Sequence, residues 1–126
     1  MRSIRLQAFF CVLMMVSLTG LARSDDASAL KEIAAIVERL NHFPAAADKE
    51  VLLGISTDAT NSTAIQTIAR AVHDLQHSVS PEVRSELSAL AEDGGLDADT
   101  RALAEIVASL NHMASVEAKA RLQAMF

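Results

Sequence analysis

The chain has 126 residues, a formal net charge of −5, 51% hydrophobic residues and 3% aromatic ones, with neither Trp nor Tyr. Its acidic balance repels phosphate backbones, and the missing aromatics leave no platform on which bases stack, which together exclude nucleic-acid binding. The length suits a single domain.

In chain order, Arg2 and Arg5 come first, then an uncharged apolar run from Leu6 to Leu18, then the small residues of "TGLARS". That order predicts a secretory signal peptide over 1–24, cleaved after Ser24 with Ala22 at the third position before the cut. The run is shorter than the roughly 20 residues that cross a bilayer, so no integral membrane segment is expected after cleavage. Cys11 is the only cysteine and would leave with this segment. Disulfides, thiol catalysis and cysteine-based zinc sites are thereby excluded from the mature chain. Loss of Arg2, Arg5 and Arg23 lowers the basic residues from 11 to 8 while all 16 acidic ones stay, so the exported chain carries −8. The expected location is periplasmic or secreted, with one domain over 25–126 that buries roughly 60–70% of its unfolded surface.

That domain repeats itself. At a shift of 35 residues, "AAIVERLNHF" from Ala34, "ARAVHDLQHS" from Ala69 and "AEIVASLNHM" from Ala104 align without a gap. Valine recurs at 37, 72 and 107, leucine at 40, 75 and 110, histidine at 42, 77 and 112, and leucine again at 52, 87 and 122. The copies span about 28–62, 63–97 and 98–126. In each, a first helix is predicted from one apolar face, such as Ile65, Ile68, Ala69, Val72 and Leu75. Thr63 with Gln66 reads as a capping box, and Asp99 as the cap of the third copy. A second, shorter helix is predicted to begin at Ser80-Pro81-Glu82, and its counterpart near Ser115 and Glu117. The polar stretches "STDATNS" and "EDGGLDAD" read as loops.

The expectation is an all-α protein of three helical hairpins, six helices, stacked so that each copy covers its neighbour's apolar face. Two small-residue columns, Ala34/Ala69/Ala104 and Gly54/Ala89/Ala124, are expected where helices approach closely. The stretch "SVSPEVRSELSALAED", Ser78 to Asp93, resembles the start of the second helix in HEAT-type α-solenoid repeats. Val83-Arg84 supplies that family's valine–basic pair, Ala118-Lys119 a weaker version, and Lys49 the basic residue alone. The resemblance implies a short α-solenoid scaffold of the kind that binds proteins, and brings no catalytic residue with it.

His42, His77 and His112 are expected to close their first helices, interacting with carbonyls at the negative end of each dipole. In a stack, equivalent side chains lie about 8–10 Å apart. Zn–N bonds of about 2.0–2.1 Å would not easily span that gap, so capping is the expected role, with a binding or pH-sensing ladder as the alternative. His73 and His77 have the spacing of two metal ligands on one helix face, but Asp74 replaces the glutamate of the metalloprotease helix and no third ligand is indicated. The acids of "EDGGLDAD" lack the spacing of a calcium loop. Asn61-Ser62-Thr63 fits a glycosylation acceptor in a loop. No serine occupies a nucleophile elbow, and no phosphate-cradling loop is present. The sequence therefore indicates no enzyme, with no catalytic, cofactor-binding or metal residue. It points to an exported scaffold for a protein or peptide partner, or alternatively to a binder of an apolar small molecule or envelope lipid in an interhelical groove. Ile36 and Ile106 lie next to the main apolar face, and Met125 and Phe126 end a helix that no fourth copy covers. These residues are expected to fold back onto the last hairpin, with a partner or homodimer surface as the alternative.

Overall fold

The computed structural model describes residues 26–126; the expected signal segment, 1–24, lies outside them. The described residues form helices α1 (26–38), α2 (Ala46–Thr57), α3 (Thr63–His73), α4 (Pro81–Glu92), α5 (Ala98–Ala108) and α6 (Val116–Gln123). The all-α class and the six helices agree with the sequence, and the described residues contain no strand, only isolated bridges in loops. No described helix is long and apolar enough to cross a membrane.

Local chemistry sets the helix starts. Ser62, Ser80, Asp97 and Ser115 each accept the backbone N–H three residues on, satisfying one of the donors a helix start leaves free. Two of these differ from expectation: the caps are Ser62 and Asp97, with Thr63 and Asp99 already helical. Gln66 does not complete a capping box. Its Nε2 donates to the Asp58 carbonyl at 2.6 Å, tying α3 to the preceding loop. In that loop the Asp58 carboxylate accepts the Thr60 hydroxyl and backbone N–H, and these bonds hold it below its ordinary pKa. The second helix is shorter than the first in the first and third copies, but in the second copy α4 has 12 residues against 11 for α3.

Tertiary packing corrects the stacked row. α1, α3 and α5 start together at one end, where Asp26 Oδ1 accepts the Ser62 N–H at 2.8 Å and Asp26, Ser62 and Asp97 line one cavity. They finish together at the other end, where His42, His77 and His112 meet. Three parallel inner helices therefore surround a common axis. α2 lies on α3, and α4 lies on α5 rather than chiefly on its own hairpin partner. α6 reaches back to α1, with Gln123 Nε2 donating to Glu38 Oε1 at 2.7 Å. Each outer helix thus serves the next copy and the last serves the first: the hairpins form a closed ring of approximate threefold symmetry, not an open α-solenoid.

Closure explains burial that a row would not. Ile33, Ile68 and Leu103 are fully buried in one repeat column, as are Val37, Val72 and Val107 in a second and Leu52, Leu87 and Leu122 in a third. Each such aliphatic side chain contributes about 1.5–3 kcal/mol on leaving water. Ile36, Ala71 and Ile106 are buried too, so Ile36 and Ile106 belong to the core and not to a partner surface. An inner helix in a ring has neighbours on more sides than a helix in a row. Met125 is also buried, while Phe126 remains 56% exposed. The Ala34/Ala69/Ala104 column is fully buried as expected. The Gly54/Ala89/Ala124 column is exposed, and a Cβ on Gly54 would meet nothing within 4 Å, so no close approach occurs there.

Polar links tie the hairpins. Arg39 and Asp48 pair at 2.6 Å across the α1–α2 turn, and that hydrogen bond raises the arginine's pKa. Asn61 is 8% exposed and its Nδ2 donates to the Ile55 carbonyl, so this side chain is committed to the fold rather than displayed for glycosylation. An Ala69→Leu change is expected to overpack the inner helices and cost about 1–3 kcal/mol in urea denaturation. Ser80→Ala removes the α4 cap and is expected to cost about 1 kcal/mol by the same measurement.

Candidate functional site

Each inner helix ends well before its histidine. A buried leucine follows (Leu40, Leu75 or Leu110), then an exposed amide (Asn41, Gln76 or Asn111), then the histidine. The expected helix-capping role is therefore not what these three side chains do. His73 is the last residue of α3 and its Nδ1 pairs with Asp74 at 2.7 Å, while His77 lies beyond the helix, so the two do not share a helix face.

The three histidines sit at the centres of three tight turns. The backbone N–H of Phe43 donates to the Asn41 carbonyl at 2.9 Å, that of Ser78 to Gln76 at 2.8 Å, and that of Met113 to Asn111 at 2.8 Å. His42, His77 and His112 have φ of 71°, 69° and 67°. A bond from residue i+2 to residue i around a central residue of positive φ is the rare, strained form of the γ-turn. Backbone of this kind costs about 1–3 kcal/mol per residue and persists only where the surroundings enforce it. Here the enforcement is cyclic. The His42 N–H donates to the His112 carbonyl at 2.6 Å, His77 to His42 at 3.1 Å, and His112 to His77 at 2.7 Å. Every histidine spends its own N–H and C=O on the other two copies, and the ring of three bonds is complete.

This places the imidazoles together. Their centroids are 5.5 Å apart for His42 and His77, 5.1 Å for His42 and His112, and 5.0 Å for His77 and His112. The expected separation of 8–10 Å came from the row, and the ring removes it. One ligand nitrogen from each residue lies within 4.8 Å of the others. His77 Nδ1 and His112 Nδ1 are 3.2 Å apart. Two adjacent nitrogens bonded to one ion at about 2.0–2.1 Å lie about 2.9 Å apart in six-coordinate and about 3.4 Å apart in tetrahedral geometry, so this pair falls between the two ligand spacings. His42 Nδ1 lies 2.7 Å from Asn41 Oδ1, an outer partner of the kind that orients a ligating ring. All three rings are exposed.

Electrostatics favours a cation here. α1, α3 and α5 all direct their negative ends to this face, each carrying roughly half an elementary charge. Neutral imidazole is a donor for zinc, copper, nickel and iron. The chain matches no known protein family, no curated protein and no solved structure.

The sequence shows the recurrence of His42, His77 and His112 but not their meeting. One signal pointed to closure: the apolar column Ile36/Ala71/Ile106 makes the inner helices apolar over a wider arc than a row requires. The structure also offers a test of why histidine occupies these turns. Glycine relieves positive φ but costs conformational entropy of about 0.5–1 kcal/mol, so His77→Gly is expected to stay within about 1 kcal/mol of the parent in chelator. His77→Val, branched and unfit for the turn, is expected to lose about 1–3 kcal/mol under the same urea titration.

Proposed function

We propose that the protein is an exported, non-enzymatic binding module whose ligand is a divalent first-row transition-metal ion held by His42, His77 and His112. The observation that carries this reading is the strained, cyclic turn geometry that brings one nitrogen from each of three imidazoles, one per copy, within 4.8 Å of the others. A ring closed only for stability has cheaper residues available at positive φ, glycine first among them. Three histidines in that position supply three nitrogen donors and leave part of the ion's coordination sphere open, unlike the closed four-ligand shell of a purely structural zinc site. Export and the absence of catalysis rest on the sequence: the signal-like segment before Asp25 and the lack of a nucleophile arrangement. The interhelical grooves favour the lipid alternative less. The α4–α5 groove, about 830 Å³, is lined by Arg84, Glu92 and Glu105, and these charges oppose an apolar ligand.

The test is calorimetric titration of the metal-stripped protein with Zn²⁺ and Ni²⁺, with Mg²⁺ as the hard-cation control. Zn²⁺ and Ni²⁺ are expected to bind and Mg²⁺ not to. Free ion at 100 times its Kd is expected to raise unfolding stability by about 2.7 kcal/mol. His42→Ala, His77→Ala and His112→Ala are each expected to weaken Zn²⁺ binding at least tenfold. Protons compete with the ion for the imidazole nitrogens, so binding is expected to weaken as pH falls. Equal Zn²⁺ affinity in the parent and in a folded triple-alanine variant would refute the site.

A further inference from the structure

We propose that the ion held at this face is shared between two copies of the chain, each contributing its three histidines, so that the metal assembles a face-to-face homodimer. This inference rests on the metal reading above and adds what fills the rest of the coordination sphere. Three facial nitrogens from one chain leave three positions on a six-coordinate ion. A second copy turned to face the first presents an identical triad on the same approximate threefold axis. That contact is isologous, with the same patch on both partners.

Charge selects the second copy as occupant. The protein is acidic, with a net charge of −5, so two copies repel over most of their surface. The three turns, 41–43, 76–78 and 111–113, contain no charged residue. Two copies facing each other at this end therefore bring no like charges from these turns into contact, and a shared dication offsets repulsion from the rest of the surface. The turns also carry two of the large exposed apolar side chains, Phe43 at 59% and Met113 at 46% exposure, each immediately following a ligand histidine. In the facing arrangement both are covered, as apolar surface around a docking centre is. A partner of opposite charge has no counterpart here, since the rim offers it no charge to pair with.

The experiment is sedimentation equilibrium of the purified protein, first in EDTA, then with Ni²⁺ or Zn²⁺ added stepwise while bound metal is measured. The expected result is a doubling of mass saturating at one ion per two chains, reversed by EDTA. His77→Ala is expected to stay monomeric. Met113→Glu, which keeps all three ligands and places like charges across the contact, is expected to bind metal yet lose most of the dimer. One ion per chain at monomer mass would overturn the shared site and leave the metal reading standing, with water or a small anion completing the sphere. No bound ion would remove both. A Met113→Glu protein that dimerises as fully as the parent would place the interface elsewhere and overturn the facing arrangement.

Discussion

Three parallel helices packed around one axis must bring their following loops to the same point, and from that constraint the rest of this structure follows. The inner helices bury Ile33, Ile68 and Leu103, and the outer helices contribute Leu52, Leu87 and Leu122. Because each outer helix serves the inner helix of the next copy, the third copy needs the first to complete the pattern. A ring gives every copy two neighbours and leaves no terminal face uncovered, the weakness that short helical stacks otherwise meet with specialised capping repeats. The loops leaving the inner helices then converge, and their peptide groups have one another as partners. His42, His77 and His112 answer this by exchanging backbone hydrogen bonds in a cycle.

The cycle has a conformational cost, and that cost links the fold to the site. To donate inward to one copy and accept from another, each central residue takes positive φ. An L-residue with a bulky side chain does so unwillingly, and here three do so in concert. The same backbone that strains them gathers their rings. Closure, strain and the imidazole cluster are one feature seen at three levels. The negative ends of the inner helices reinforce it, because parallel packing aims all three at the histidine face while the opposite end is supplied with Asp26, Ser62 and Asp97 as partners for the free N–H groups. A histidine-clustered end and a self-capped end are what such a bundle makes by construction.

Much of the architecture was legible in the residues. The 35-residue period, six helices, the caps at Ser80 and Ser115 and the buried alanine column were all readable, because each depends on local chemistry or on an apolar pattern within one helix. The errors share a cause. The α3 and α5 starts were displaced by one and two residues because several cap-competent side chains stand side by side in "NST" and "DAD". The small residues of the Gly54 column suggest a close approach that their outer-helix position does not provide. Asn61 lies in a loop, as the sequence predicts, but its buried amide donates to the Ile55 carbonyl. In each case the deciding partner lies outside the pattern that was read.

The sequence by itself determined that this is a triplicated helical hairpin unit, acidic, and thiol-free once any leader is removed, with one histidine per copy at an equivalent position. Those properties are carried by residue identity and spacing, which hold whatever the copies do next. Only the tertiary structure decided that the third copy returns to the first. An open row and a closed ring share most of their buried columns, with Ile36/Ala71/Ile106 the one column that closure adds. They differ in the rotation from one copy to the next, a quantity summed over many weak side-chain contacts. That rotation turns three distant histidines into one cluster.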